Sequence, residues 1–422
     1  MSEGIATVTR FQGDTFELRV AGELAHGMRR FAGSCRLVFN RALAWQQELD
    51  DLCGFRPGYA DLCKEMARWK KEPETLWLEE APSQALQQSL KNLETAWERH
   101  FESHKELKAG KIKASQVVGP PQFKKKGQHD SFRFPLRFPR GFELDPENSR
   151  VFLPKLGWVR YRNSQEVLGE VRNVAVRQTA GKWFISILTK REVAPPVHPS
   201  TSAVGIDMGV VRFATLPDGE FIEPLNSFKE HEDQLRKAQQ ALSRKEQYTK
   251  NWKKAKAEVQ RIHARIANVR LDFLHKASTP ISKNHAMVVM ENLQVRNMSR
   301  SAAGTVEQPG RNVKQKTGLN KSILDQGWGE FRRQMKYKMI WTGGLLVPVP
   351  PQNTSTTCPG CGHISKENRR KQAQFTCVEC GFSENADLVG AINILRAGYA
   401  RIACQVNPEL GGQQQEPTSI AA

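Results

Sequence analysis

The 422-residue sequence predicts a multidomain α+β protein: a split β-barrel with a helical insert, then an α/β domain into which a four-cysteine ribbon is inserted. Three observations predict it. The pattern turns from β-prone to helical after residue 21 and back after residue 115, strand-sized apolar runs end in carboxylates from Ala203 onward, and two Cys-x-x-Cys pairs stand close together near the C-terminus. The length suits two to four domains at roughly 100–200 residues each. With 63 Lys plus Arg against 44 Asp plus Glu, the net charge of +19 calls for a polyanionic partner, nucleic acid first and an anionic membrane surface second. A hydrophobic content of 39% argues against wholesale disorder. No apolar run approaches the roughly 18 residues of a membrane span, and Met1 to Phe16 lacks the pattern of a secretory signal, so a cytoplasmic protein without membrane association is expected.

Residues 1–21 read as the first part of the barrel, with β-prone runs Ile5 to Phe11 and Thr15 to Val20 on either side of a turn at Gly13-Asp14. Residues 22–115 read as the helical insert. Phe31, Cys35, Val38 and Ala42 recur at helical spacing, as do Leu86, Leu90, Leu93, Trp97 and Phe101, and Pro82-Ser83 marks the start of the last helix. Residues 116–194 complete the barrel through short β-like runs at Val151 to Leu153, Trp158 to Tyr161, Val171 to Arg177 and Trp183 to Leu188. Ahead of those runs, Lys124, Lys125, Lys126, Arg133, Arg137 and Arg140 alternate with Phe123, Phe132, Phe134 and Phe138. Cations between rings suit nucleic acid, and an ordinary barrel strand with solvated lysines is the plain alternative.

Pro195, Pro196 and Pro199 mark a linker into the α/β domain, whose first part is residues 195–353. Ala203 to Ile206 is a buried strand running into Asp207, and Ala286 to Met290 is another that ends at Glu291. Residues 228–276 form a Lys/Arg-rich helical pair, Ile323 to Trp341 is mostly helix, and Gly344 to Val347 is a strand. Residues 385–405 return as a closing helix, and residues 406–422 are expected to be a disordered tail.

Between them, residues 354–384 hold Cys358-x-x-Cys361, fifteen intervening residues, and Cys377-x-x-Cys380, with Gly362 and Gly381 to allow tight knuckles. Four thiolates at this spacing close a tetrahedron around one Zn²⁺ and leave no open position, so the metal is expected to be structural and His363 a bystander. Asp207, Glu291 and Asp387 form a second constellation. Each alone could be a turn or cap residue, yet neighbouring strands would join the first two and the last helix could bring the third. Clustered carboxylates repel unless cations sit between them, and two Mg²⁺ about 4 Å apart are a common arrangement for phosphodiester hydrolysis.

Gly205-Ile206-Asp207-Met208-Gly209, Met290-Glu291-Asn292-Leu293, Thr354-Ser355 before Cys358, and Asn385-Ala386-Asp387 with Gly390-Ala391-x-Asn393-Ile394 resemble TnpB, the OrfB-type family of insertion sequences. The resemblance covers most of the chain and includes the order acid, acid, ribbon, acid shared with compact type V CRISPR effectors. It implies a wedge β-barrel with a helical recognition region, then a RuvC-like nuclease of RNase H fold. It also implies an RNA-guided DNA endonuclease whose guide RNA comes from the transposon end and whose target is double-stranded DNA beside a short flanking motif. Asp207, Glu291 and Asp387 would be its catalytic, Mg²⁺-binding acids. Two departures are Asn292, where the family often has Asp, and Ser355 to Thr357. The region up to about Lys113 matches least, so the motif-reading residues do not carry over. A compact CRISPR effector, a guided regulator that binds without cutting, and a cut-and-paste transposase remain as alternatives.

Overall fold

In a computed structural model, residues 7–128, 130–135 and 142–406 are described. The chain forms two compact units, Met1–Ala194 and Pro195–Ala422.

In the first unit, β1 (Val8–Arg19) leads into α1 (Gly22–Cys53), α2 (Tyr59–Trp69) and α3 (Ser83–Lys108). The chain then returns through β2 (Ser131–Pro135), β3 (Glu143–Asp145), β4 (Arg150–Leu153), β5 (Gly157–Tyr161), β6 (Glu170–Thr179) and β7 (Lys182–Val193). These seven strands make one antiparallel sheet in the order β2-β6-β7-β1-β5-β4-β3. Among the described residues no pair joins β2 to β3, so the observed ladder is open. The expected turn at Gly13-Asp14 is absent: β1 runs straight through it, pairing with β7 from Val8↔Val193 to Leu18↔Trp183. A continuous partner strand outweighs a local turn signal, because a break there would strand backbone donors and acceptors. One core lies between sheet and helices, with Phe16, Phe31, Leu43, Leu90, Phe134 and Ile187 among its buried members.

The second unit opens with β8 (Ala203–Ile206), followed by the small hairpin β9 (Ala214–Thr215) and β10 (Phe221–Ile222). The basic helices α4 (Ser227–Ser243) and α5 (Lys250–Asn284) precede β11 (Met287–Glu291). The buried carboxylate of Asp325 ties the helices together by accepting from Ser227 Oγ, Phe228 N and Arg270 Nη2. After α6 (Val295–Met298), the helix expected over Ile323 to Trp341 is two, α7 (Val313–Gln326) and α8 (Trp328–Thr342), broken at Gly327. Strand β12 (Leu345–Val349) completes a parallel sheet in the order β12-β11-β8. Its edge position accommodates Pro348, which has no N–H to give a ladder. A small pair, β13 (Gln374–Thr376) and β14 (Ser383–Asn385), precedes α9 (Ala386–Val406), which lies where the closing helix over residues 385–405 is expected.

Helix α9 lies on β8 so closely that a Cβ on Gly205 would fall 2.3 Å from the Ala391 carbonyl oxygen and 2.6 Å from Leu395 N. Backbone cannot yield as a flexible side chain can. Gly205→Ala is therefore expected to lower stability by about 1–3 kcal/mol, read as a reduced urea midpoint with an unchanged slope. An unchanged midpoint would refute this close approach.

Candidate active site and zinc ribbon

Two adjacent parallel strands bring the first two acids together. Met290 pairs with Ile206, so Glu291 at the end of β11 and Asp207 just beyond β8 stand opposite one another at strand ends about 4.8 Å apart. Asp207 is held in place by a two-way backbone bridge to Thr215: its N–H donates at 3.1 Å and its C=O accepts at 2.8 Å. Asp387 arrives on the first turn of α9. It does not cap that helix, because Asn385 Oδ1 accepts from Asp387 N and Leu388 N, so capping does not occupy the carboxylate. All three predicted acids thus converge at the C-terminal end of the parallel strands.

The electrostatics record that convergence. Burial first, then the negative charges of Glu291 and Asp387, push the Asp207 carboxyl from 3.8 up to about 7, against the opposing pull of Arg369. Burial also raises Glu291, and the Thr354 hydroxyl, donating to Oε1 at 2.7 Å, holds it down. Gly390 faces Asp207: a Cβ there would lie 2.7 Å from Oδ2, so only glycine keeps that oxygen clear. Excess negative charge and an open carboxylate oxygen fit a site for divalent cations.

The four predicted cysteines do meet. Their sulfurs all lie within 4.8 Å of one another, with Cys358 to Cys380 and Cys361 to Cys377 at 3.6 Å. A Zn–S length of about 2.3 Å gives tetrahedron edges of about 3.8 Å, so the cluster fits zinc. His363 contributes its backbone carbonyl, which accepts from Cys358 N at 2.9 Å, and its ring is outside the cluster. Buried Asn368 braces the knuckle through Thr356 O, His363 O and Val378 N. Cys35, Cys53, Cys63 and Cys404 are free and apart from this group.

Three contributors to the acid site were given no role in the sequence reading, although Thr354 and Asn393 stand in the stretches that carry the family resemblance. Arg369, in the ribbon, donates to Asp387 Oδ1 at 3.2 Å. Thr354 reaches Glu291, and Asn393 on α9 donates to the carbonyls of Thr354 and Thr357, both at 2.8 Å. The available signals were those motifs and the spacing Asp387, Gly390, Asn393 along one helix. Asn292, one of the departures, accepts a hydrogen bond from Arg332 of α8 and donates its N–H to Val349 O.

The basic stretch of the first unit divides. Lys125 and Lys126 are exposed, while Lys124 is half-buried, its ammonium 3.9 Å from the Phe39 ring centre and its backbone bonded both ways to Asn40. Arg133 is partly exposed and lines, with Lys124, Gln88 and Asn92, a cavity of about 180 Å³. Arg137, Phe138 and Arg140 lie outside the described residues. The expectation that the phenylalanines interleave with cations to stack on bases needs correction: Phe132 and Phe134 are buried, edge-to-face in the core, because alternation along β2 turns both inward. Phe123 alone among the described rings of this stretch is exposed.

Among the described residues no helix is long and apolar enough to cross a membrane. The family model OrfB_IS605, described as "Probable transposase", matches residues 186–302, and that of the Cas12f1-like TNB domain matches residues 328–394. The chain is 52% identical over 412 residues to the "Putative RNA-guided DNA endonuclease InsQ" of Escherichia coli (strain K12), covering 97% of this chain and 98% of that protein. It is 31% identical over 392 residues to a "Putative RNA-guided DNA endonuclease" of Streptomyces pristinaespiralis, covering 90% and 88%. A solved structure titled "Cryo-EM structure of the Cas12f1-sgRNA-target DNA complex" shares the fold, with a TM-score of 0.52 at 15% identity over 89% of this chain and 83% of that one. Near-full-length identity of this size, together with the OrfB match across β8 and β11, means that the chain belongs to the TnpB family, the OrfB-type proteins of insertion sequences.

Proposed function

We infer that this protein is a transposon-encoded RNA-guided DNA endonuclease that cuts target DNA by Mg²⁺-dependent phosphodiester hydrolysis. The observation that carries the reading is the meeting of Asp207, Glu291 and Asp387 at the C-terminal end of the parallel strands, with Asp207 pushed up to about 7 by burial and then by the other two. In this reading residues 195–353 and 385–405 are a RuvC-like nuclease of RNase H fold, residues 354–384 its structural zinc ribbon, and residues 1–194 the wedge barrel with its recognition insert.

The three carboxylates would hold two Mg²⁺ ions, which when bound supply an activated water and charge stabilisation at the leaving oxygen. The chain's own part is positional. Asp207 and Glu291 are fixed by adjacent strand ends, Asp387 by the capped first turn of α9, and Gly390 keeps Asp207 Oδ2 uncovered. Arg369 offsets charge at Asp387. Guide pairing carries the choice of sequence, so the protein needs cations for backbones, and exposed Lys125 and Lys126 with partly exposed Arg133 are candidates. Half-buried Lys124, together with Arg137, which lies outside the described residues, completes that proposed set.

The test is expression with flanking genomic DNA, sequencing of the RNA that co-purifies, and cleavage of a randomised-flank plasmid library in Mg²⁺, with Asp207→Ala alongside. A discrete RNA and cleavage that depends on guide match and Asp207 support the reading. Target binding without cleavage would favour a guided regulator, and the absence of any specific RNA would remove guided recognition. A compact CRISPR effector has the same acids, and a repeat array in place of transposon ends would identify one.

A further inference from the structure

We propose that Thr354 is a positioning residue for Glu291, held by Asn393, so that the segment leading into the zinc ribbon sets the geometry of the acid site. The proposal rests on the reading of the three acids as a divalent-cation site. It begins with a need: Glu291 is 8% exposed at the end of a fully buried strand, and a carboxylate there requires a donor to fix its orientation. The Thr354 hydroxyl supplies it at 2.7 Å to Oε1. That hydroxyl also lies 3.3 Å from Pro351 O, but it has one proton, and the shorter, charge-assisted bond takes it. With Oε1 engaged, Oε2 is the oxygen presented for a cation.

Thr354 is in turn fixed from α9. Asn393, 8% exposed, donates from its amide nitrogen to Thr354 O and Thr357 O, and so grips the segment on both sides immediately before Cys358. Asp387, Gly390 and Asn393 follow one another at three-residue steps along one broad face of the helix. One helix therefore delivers the third acid, clears the first, and through Thr354 orients the second. Outer hydrogen bonds of this kind govern metal affinity because they hold a ligand in the one arrangement that binds.

The probe is Mn²⁺, titrated into the full-length, zinc-loaded protein and followed by the electron spin resonance signal of free Mn²⁺. Thr354→Val keeps shape and removes the donor, and is expected to weaken Mn²⁺ binding about tenfold. Thr354→Ser restores the hydroxyl and should bind within about twofold of wild type, and Asn393→Leu should resemble Thr354→Val. Zinc content should stay at one per chain in both Thr354 variants. A residue that merely braced the ribbon would show the converse, lost zinc with Mn²⁺ affinity intact. Wild-type affinity in Thr354→Val, or a serine variant as weak as the valine one, overturns the relay while an inert Asp207→Ala control leaves the cation site standing. If Asp207→Ala binds Mn²⁺ as wild type does, the cation-site reading falls and the relay with it.

Discussion

Asp207→Asn is expected to abolish cleavage and, in the same protein, to raise the thermal stability of the metal-free form at pH 8. The loss of activity follows from the proposed ligand role. Several kcal/mol of transition-state stabilisation reside in such a metal site, so a drop of about a thousandfold or more in cleavage rate is expected. The gain in stability follows from charge. The folded state holds the Asp207 proton more tightly than the unfolded chain does, since the carboxyl is raised from 3.8 to about 7 by burial, Glu291 and Asp387. A raised acid contributes stability that is complete below the unfolded value and is lost as pH climbs through the folded one. Above pH 7 wild type therefore carries an ionised, crowded carboxylate that asparagine does not. The ceiling is roughly 4 kcal/mol for a rise from 3.8 to about 7, and solvent at the partly open site reduces the expected gain to about 1–2 kcal/mol.

Differential scanning calorimetry at pH 8 and pH 4 measures both the sign and its disappearance. The variant's advantage should be present at pH 8 and absent at pH 4. Added Mg²⁺ should stabilise wild type and leave the variant unmoved, because ligand binding stabilises only a state that binds it. Equal midpoints at pH 8, or equal Mg²⁺ responses, would contradict the site. Both results together would mean that the site trades stability for function at a named residue, as strained and charged sites commonly do.

How much of this was legible in the sequence differs by element, for physical reasons. Asp207 and Glu291 could be found because each terminates a short apolar run, and a parallel sheet buried on both faces leaves such runs as its signature. Their adjacency could be expected but not registered; the pairing of Met290 with Ile206 is a property of the sheet. The cysteines were legible because metal geometry imposes local spacing. Thr354 and Arg369 were not, since their partners lie 63 and 18 residues away and no periodicity links a loop hydroxyl or a loop guanidinium to a strand end or a helix start. The misread turn at Gly13-Asp14 and the misassigned Phe132 and Phe134 share a cause: local composition was weighed without the partner strand. Strand β7 makes Gly13 an ordinary paired residue, and β6 fixes which face of β2 turns inward.

Cys358→Ser is expected to disable the acid site without touching any acid. Cys358 is 1% exposed and its sulfur is 3.6 Å from that of Cys380, so serine removes one corner of the tetrahedron from the interior of the cluster. Structural zinc in small modules binds with roughly 10–16 kcal/mol, most of which is folding free energy, and the ribbon contributes little core of its own: Phe375 and two of the cysteines, packed with Ala386 and Val389 of α9. Loss of a ligand should therefore release zinc and unfold the segment between β12 and α9. Two contacts to the acids leave with it, Arg369 on Asp387 and Thr354 on Glu291, so cleavage should fall at least about a hundredfold, each orienting contact accounting for about tenfold or more. The parallel sheet does not depend on the ribbon, because β8, β11 and β12 pair without it and α9 packs on β8 through Gly205. Zinc content, protease sensitivity confined to residues near 354–384, and cleavage rate, measured on the same preparation, check each link. A variant that loses zinc yet cuts at the wild-type rate would show that the acids hold their geometry unaided, and the ribbon would then be a separate module attached to the nuclease.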